Sequence, residues 1–108
     1  RDNYGVLVGS IAEEMVNKLR VDISFIGADA VMPDSGIYNS NFLEVGIKRS
    51  SIHCGETRVL LADHTKFKQK ALTKVCGIEE FDVIITDKGL DEKTAEMIQK
   101  TQVKLIYA

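Results

Sequence analysis

Three short apolar runs in this chain each stop at an acidic turn. Ile23 to Ala28 ends at Asp29, the run from Arg58 to Ala62 ends at Asp63, and Val83-Ile84-Ile85-Thr86 ends at Asp87. Runs of this length are too short for stable helices, so they read as buried strands, the first of them covered on both faces. Helical patterns lie between them. In an open α/β sheet, ligands bind outside the carboxyl ends of the strands. The charged residues at those ends therefore carry most of the functional argument.

The segments between the strands complete the pattern. Ile11, Met15 and Leu19, with Ala12 and Val16 alongside, recur at helical spacing, and Ser10 is a suitable N-cap, which predicts a first helix over 10–20. Met32-Pro33-Asp34-Ser35-Gly36 has the composition of a turn and contains the only proline. From Asn41 to Cys54, Phe42, Leu43, Val45, Ile47 and Ile52 describe a second helix. Gly46 interrupts it and Gly55 ends it. Glycine costs helix stability, so Gly46 marks a close approach of backbone to backbone or to ligand. Lys66 to Lys74 reads as a basic surface turn with a short helix. Asp91 caps a helix over 92–101, and Val103 to Tyr107 is a fourth strand. The alternation predicts an α/β fold: a mostly parallel sheet flanked by helices, with right-handed crossovers.

Composition excludes several function classes. The chain has 108 residues, enough for one domain, and its 14 basic and 16 acidic residues give a net charge of −2. No Lys/Arg cluster of the kind that draws a protein to a phosphate backbone is present, so this segment is not itself a nucleic-acid binder. Cys54 and Cys76 lie far apart, outside any C-x-x-C spacing, which argues against a disulfide framework or structural zinc and for a reduced, cytoplasmic setting. His53 beside Cys54 suggests a soft-metal pair, but neighbours in a helix point different ways and no further ligands cluster with them, so no metal is expected. No apolar run is long enough to cross a membrane, and no signal-peptide pattern opens the chain. The absence of an initiator Met before Arg1, and the direct entry of Gly5-Val6-Leu7-Val8-Gly9-Ser10 into a helical pattern, lead us to expect that an earlier segment is missing.

Each candidate site residue has a plainer reading beside the functional one. Asp29 follows Gly27-Ala28, whose small side chains admit a ligand close to the backbone, yet aspartate often only serves a turn. Asp63 can accept hydroxyl hydrogen bonds and Lys66 can meet a phosphate, or the two can form a weak surface ion pair. Glu44 and Lys48, four apart, share one helix face; most such pairs are solvated decoration, but this helix follows the polar loop at the mouth of the expected site. Tyr38 and Asn39 can donate to sugar oxygens or satisfy a turn. Asp87, in Thr86-Asp87-Lys88-Gly89, is the weakest candidate, being ordinary turn sequence.

Taken together, Asp22-Ile23-Ser24-Phe25-Ile26-Gly27-Ala28, Gly36, the Glu44/Lys48 helix, Leu61-Ala62-Asp63-His64-Thr65-Lys66-Phe67 and Ile85-Thr86-Asp87 resemble the C-terminal effector domain of the DeoR family of bacterial transcriptional repressors. The match runs through nearly the whole chain in the family's order. Among its branches, repressors of sugar phosphotransferase operons such as the lactose system are the first comparison.

The resemblance implies a fold related to the sugar-phosphate isomerases (ribose-5-phosphate isomerase/CoA transferase-like), shortened at its N-terminus. Ribose-5-phosphate isomerases carry D-G-A-D-E where this chain has Ile26-Gly27-Ala28-Asp29-Ala30, and a similar A-D-x-S-K where it has Ala62-Asp63-His64-Thr65-Lys66. Their catalytic Glu falls, by spacing from the shared lysine, at Lys48. Moving a proton between neighbouring sugar carbons needs a base at the C–H bond. A lysine with a reference pKa of about 10.4 is protonated at neutral pH and does not serve. The resemblance thus implies binding without chemistry: no catalytic residue, no cofactor, and a phosphorylated sugar as effector. Asp29, Lys48 and Lys66 are the principal ligand contacts, with Glu44, Asp63, Tyr38, Asn39 and Arg1 as further ones. It also implies a homo-oligomer that meets DNA only through an N-terminal domain absent from residues 1–108. An active isomerase of the ribose-5-phosphate type is the alternative.

Overall fold

The computed structural model describes residues 3–108, with side chains described from residue 9 onward. Among the described residues two sheets form. A parallel sheet takes the order β1 (Val21–Gly27), β4 (Gly55–Leu61), β6 (Val83–Thr86) and β7 (Lys104–Tyr107), and an antiparallel one joins β2 (Ala30–Met32), β3 (Gly36–Asn39) and β5 (Thr73–Gly77). The expected α/β architecture with a mostly parallel sheet and flanking helices is therefore present. Phe25, Val59 and Val83 stand in register across the first three parallel strands, as do Gly27, Leu61 and Ile85.

The helices are α1 (Asn3–Val16), α2 (Val45–His53) and α3 (Glu92–Gln99). Ile52 of α2 and Ala95 and Ile98 of α3 pack with Ile26, Leu60 and Ile84 of the sheet in one core. Helix α3 begins as its sequence predicts, with Asp91 accepting hydrogen bonds from the Thr94 backbone N–H at 3.1 Å and from its hydroxyl.

Several expectations need correction. Ser10 does not cap α1, which begins seven residues earlier at Asn3 and ends at Val16, leaving Leu19 exposed in the connection to β1. The second helix is split: Asn41 caps a 3-10 turn, Phe42–Glu44, through its side-chain oxygen, and the α-helix proper starts at Val45. Among the described residues, what approaches Gly46 is the Glu13 carboxylate of α1 rather than backbone. The second parallel strand opens at Gly55, three residues before Arg58. The basic segment 66–74 contributes the end of a 3-10 helix, His64–Lys68, and then the first residues of β5.

Strand β1 was expected to be covered on both faces, and it is covered on one. Ser24, Ile26 and Ala28 are buried, whereas Ile23 and Phe25 are exposed, as are Leu61 on β4 and Ile106 on β7. The reason lies in the packing: α2 and α3 share one core on one side of the sheet.

The antiparallel sheet has no counterpart in the sequence reading. Met32-Pro33-Asp34-Ser35-Gly36, read as a loop, is the turn of its β2–β3 hairpin, closed by Ser35 N–H donating to the Met32 carbonyl at 2.9 Å. Val31, Ile37 and Val75 seal it against the main core. Arg49 of α2 ties it down by donating to the carbonyls of Val75 and Lys74.

Candidate functional site

Strands β1, β4, β6 and β7 all end at one edge of the parallel sheet, where an open depression of about 420 Å³ is lined by Gly27, Ala28, Ala62, Asp63, Lys66, Thr86 and Asp87, with Leu61, Ile85 and Ala108. A hollow of about 460 Å³ also lies on α1, but its lining comes from a single helix. The strand-end depression gathers residues of β1, β4 and β6 and the residue that follows β7, and it is the position at which open α/β sheets bind ligands.

Asp29 follows β1 directly. Its Oδ2 accepts the Ser40 backbone N–H at 2.7 Å, and its own N–H donates to the Tyr38 carbonyl at 3.2 Å, so it pins the end of β1 to the end of β3. The Ser40 hydrogen bond holds the Asp29 carboxyl below the usual aspartate value; desolvation opposes it, and the positive charges of Lys48 and, less, Lys66 add to the lowering. Two ammonium groups from separate elements thus act on one carboxylate.

Lys48 is half-buried on α2. Its Nζ donates to the Gly27 carbonyl at 2.9 Å and to Asn39 Oδ1 at 2.7 Å. Asn39 is only 1% exposed. Its amide nitrogen donates onward to Glu44 Oε1 at 3.3 Å and to the Asn41 carbonyl at 3.4 Å. Glu44 and Lys48, four apart on the chain, are therefore joined through a buried amide.

Asp63 caps the 64–68 helix, accepting the Thr65 backbone N–H at 2.8 Å and the Thr65 hydroxyl. Those hydrogen bonds, with Lys66 and His64 adding to them, lower its pKa. Lys66 sits one turn into that helix, and among the described residues its ammonium has no hydrogen-bond partner. Tyr38 turns to the hairpin, its Oη 2.7 Å from Ser35 Oγ. Arg1 lies outside the described residues.

Of the predicted residues, Asp63 and Lys66 line the depression, whereas Asp29 and Lys48 stand beside it at the end of β1, with Asn39 and Glu44 supporting Lys48. The structure also gives Asp87, the weakest candidate of the sequence, a definite partner, and shows one residue that sequence reasoning passed over, Thr86. Asp87, weighed only as turn sequence, accepts from the Gly89 N–H at 3.1 Å and lies 2.9 Å from His64 Nδ1, so it joins the turns that follow β4 and β6. Thr86 is buried at the end of β6 beside the depression. No signal in Ile85-Thr86-Asp87 marks the burial of Thr86 or the contact of Asp87 with His64, because both depend on the pairing of strands far apart in sequence.

The His53–Cys54 pair diverges. His53 Nε2 faces Glu80 Oε1 at 3.3 Å, while Cys54 Sγ donates to the Ser51 carbonyl. Among the described residues, no three His, Cys, Asp or Glu side chains are grouped as metal ligands would be, and no helix is long and apolar enough to cross a membrane.

Comparison with known proteins agrees with this architecture. The sequence profile described as the DeoR C terminal sensor domain matches residues 1–88. The chain is 35% identical over 101 residues to the uncharacterized HTH-type transcriptional regulator YgbI of Escherichia coli, covering 94% of this chain and 39% of that protein. It is 30% identical over 100 residues to the HTH-type transcriptional regulator GlpR of Haloferax volcanii, covering 93% and 39%. It is 24% identical over 95 residues to the deoxyribose operon repressor of Escherichia coli, covering 88% and 38%. The chain thus spans about two fifths of the length of these curated relatives.

Proposed function

This chain belongs to the DeoR family as a C-terminal sensor domain, and from that premise we propose that it is the effector-binding part of a transcriptional repressor of sugar metabolism whose effector is a phosphorylated sugar. The observation that carries the proposal is the placement of Lys66 and Asp63 in the strand-end depression, with the Lys48 ammonium held at the Gly27 carbonyl where β1 ends. Ammonium groups suit a phosphate, and the neighbouring carboxylates accept hydrogen bonds from sugar hydroxyls. The names of two relatives, a glycerol-3-phosphate regulon repressor and a deoxyribose operon repressor, are compatible with such an effector.

In this reading the domain binds and does not catalyse. The Lys48 ammonium donates to two oxygens, the opposite of a general base, which must accept a proton. An aldose-to-ketose assay tests the isomerase alternative, and measurable turnover would overturn the non-catalytic reading.

The whole protein, in the same proposal, is a cytoplasmic homo-oligomer with an N-terminal DNA-binding domain and an earlier part of the sensor domain. The HTH-type names and greater length of the relatives support this. So does the apolar sheet face carrying Ile23, Phe25, Leu61 and Ile106, since parallel sheets are ordinarily covered on both sides. Effector occupancy would shift a two-state equilibrium of the oligomer and so alter operator affinity. Calorimetric titration with a panel of sugar phosphates and their unphosphorylated counterparts is the test. Binding to the phosphorylated members is expected; binding only to unphosphorylated ones, or to none, rejects the proposal.

A further inference from the structure

Thr86 ends β6, the strand held between β4 and β7, and its carbonyl accepts the Ala108 N–H at 2.8 Å. The residue is 3% exposed. Among the described residues, its Oγ1 is the buried side-chain polar atom that lacks any hydrogen-bond partner. By contrast, buried Ser24 donates to the Ile52 carbonyl, and buried Asn39 is engaged by Lys48 and Glu44. An unsatisfied hydroxyl in a parallel strand is a cost that valine, of nearly the same shape, would remove. A group retained against that cost calls for a role beyond packing.

Its position supplies one. Thr86 lines the strand-end depression together with Asp63, Lys66 and Asp87, and the neighbouring Gly27, Ala28 and Ala62 are small. We propose that Thr86 is the specificity contact of this site: on ligand binding its side chain turns about the Cα–Cβ bond, and its hydroxyl hydrogen-bonds a hydroxyl of the sugar. The inference rests on the sugar-phosphate reading above. A threonine side chain has staggered wells to move between, and its hydroxyl both donates and accepts, which suits a polyol. Asp63 and Asp87 flank it as acceptors, while Lys66 takes the phosphate. A pocket built to hydrogen-bond a hydroxyl rejects analogues that lack it.

The test titrates the full-length protein that carries this chain, unmodified and as its Thr86→Val, Thr86→Ser and Thr86→Ala variants, by calorimetry with ribose 5-phosphate, 2-deoxyribose 5-phosphate, glucose 6-phosphate, 2-deoxyglucose 6-phosphate and glycerol 3-phosphate. The probe that the unmodified protein binds best should bind Thr86→Val about fivefold more weakly, the scale of one neutral hydrogen bond. Thr86→Val should melt no lower than the unmodified protein. Thr86→Ser and Thr86→Ala both lack the methyl and differ only in the hydroxyl, so a similar ratio is expected between them. That pair decides the matter should Thr86→Val fold poorly. Equal affinities within both pairs, with the unmodified protein binding, would overturn the role of Thr86 and leave the sugar-phosphate reading standing. An unmodified protein that binds none of the five probes would remove both.

Discussion

The Lys48 ammonium meets Asn39 Oδ1 at 2.7 Å, and the same buried amide donates at 3.3 Å to Glu44 Oε1. One asparagine therefore orients a cation on its own helix face and receives support from the turn that begins the helix. Replacing Asn39 with leucine should lower unfolding free energy by about 2 kcal/mol, the scale of a hydrogen bond to a charged group. A double-mutant cycle with Lys48→Met, read by urea denaturation, should show a coupling of about 1 kcal/mol. Strict additivity would mean that the two side chains act independently.

Lys66 offers a cleaner test of phosphate recognition, because its ammonium does not brace the fold through a hydrogen bond to any described residue. Lys66→Gln should weaken sugar-phosphate binding roughly tenfold or more, as loss of a charge-assisted hydrogen bond implies. It should also flatten the dependence of affinity on ionic strength. Titrations at low and high salt would check both effects. An unchanged affinity would place the phosphate elsewhere.

Asp29 predicts a pH dependence with a definite sign. The Ser40 N–H, and then Lys48 and Lys66, hold its folded pKa below the ordinary value of 3.8. A depressed carboxyl contributes stability that is present above the unfolded value and is lost as pH falls through the folded one. Asp63, Asp87 and Asp91 are shifted the same way. Stability should therefore fall as pH drops below about 4, and Asp29→Asn should flatten that acid limb in denaturation curves. A variant whose acid limb is as steep as that of the unmodified chain would show that these contacts do not stabilise the carboxylate.

Two glycines should differ in their response to alanine. A Cβ on Gly36 would meet backbone atoms of Cys76 and Gly77, where β3 lies against β5, whereas the space at Gly27 is limited only by the Leu61 carbonyl at 3.9 Å. Gly36→Ala should destabilise by about 1 to 3 kcal/mol or more, since overpacked backbone must move. Gly27→Ala should leave stability within about 1 kcal/mol, any change reflecting glycine's entropy cost in a strand. Thermal melts of the two variants would distinguish them.

Leu60, near the carboxyl end of β4, is fully buried in the core shared by α2 and α3. Leu60→Ala should cost about 2 to 5 kcal/mol in chemical denaturation, the transfer term plus the cavity. A smaller loss would mean that the core collapses around the gap.

The parallel strands were legible because each is a short apolar run between turn residues, and helix α3 because Asp91 begins it with a cap. Those signals are local. Strands β2, β3 and β5 were not legible: Val31, Ile37 and Val75 are brought together across more than forty residues of sequence, and strands of three to five residues carry too few alternations to declare a period. The one-sided cover of β1 escaped for a related reason, since an apolar strand reads the same whether one of its faces is packed or both.

The candidate site divides along the same line. Asp29, Asp63 and Lys66 could be named from the chain because strand ends in an alternating α/β pattern converge by topology, and local turn chemistry marks those ends. That Asn39 is the brace of Lys48, that Tyr38 serves the hairpin, and that Thr86 is buried without a partner were settled only by tertiary packing. Each of these depends on which distant backbone a side chain meets. Hydrophobic period and turn propensity are properties of neighbours along the chain, whereas the satisfaction of a buried polar group belongs to the assembled neighbourhood.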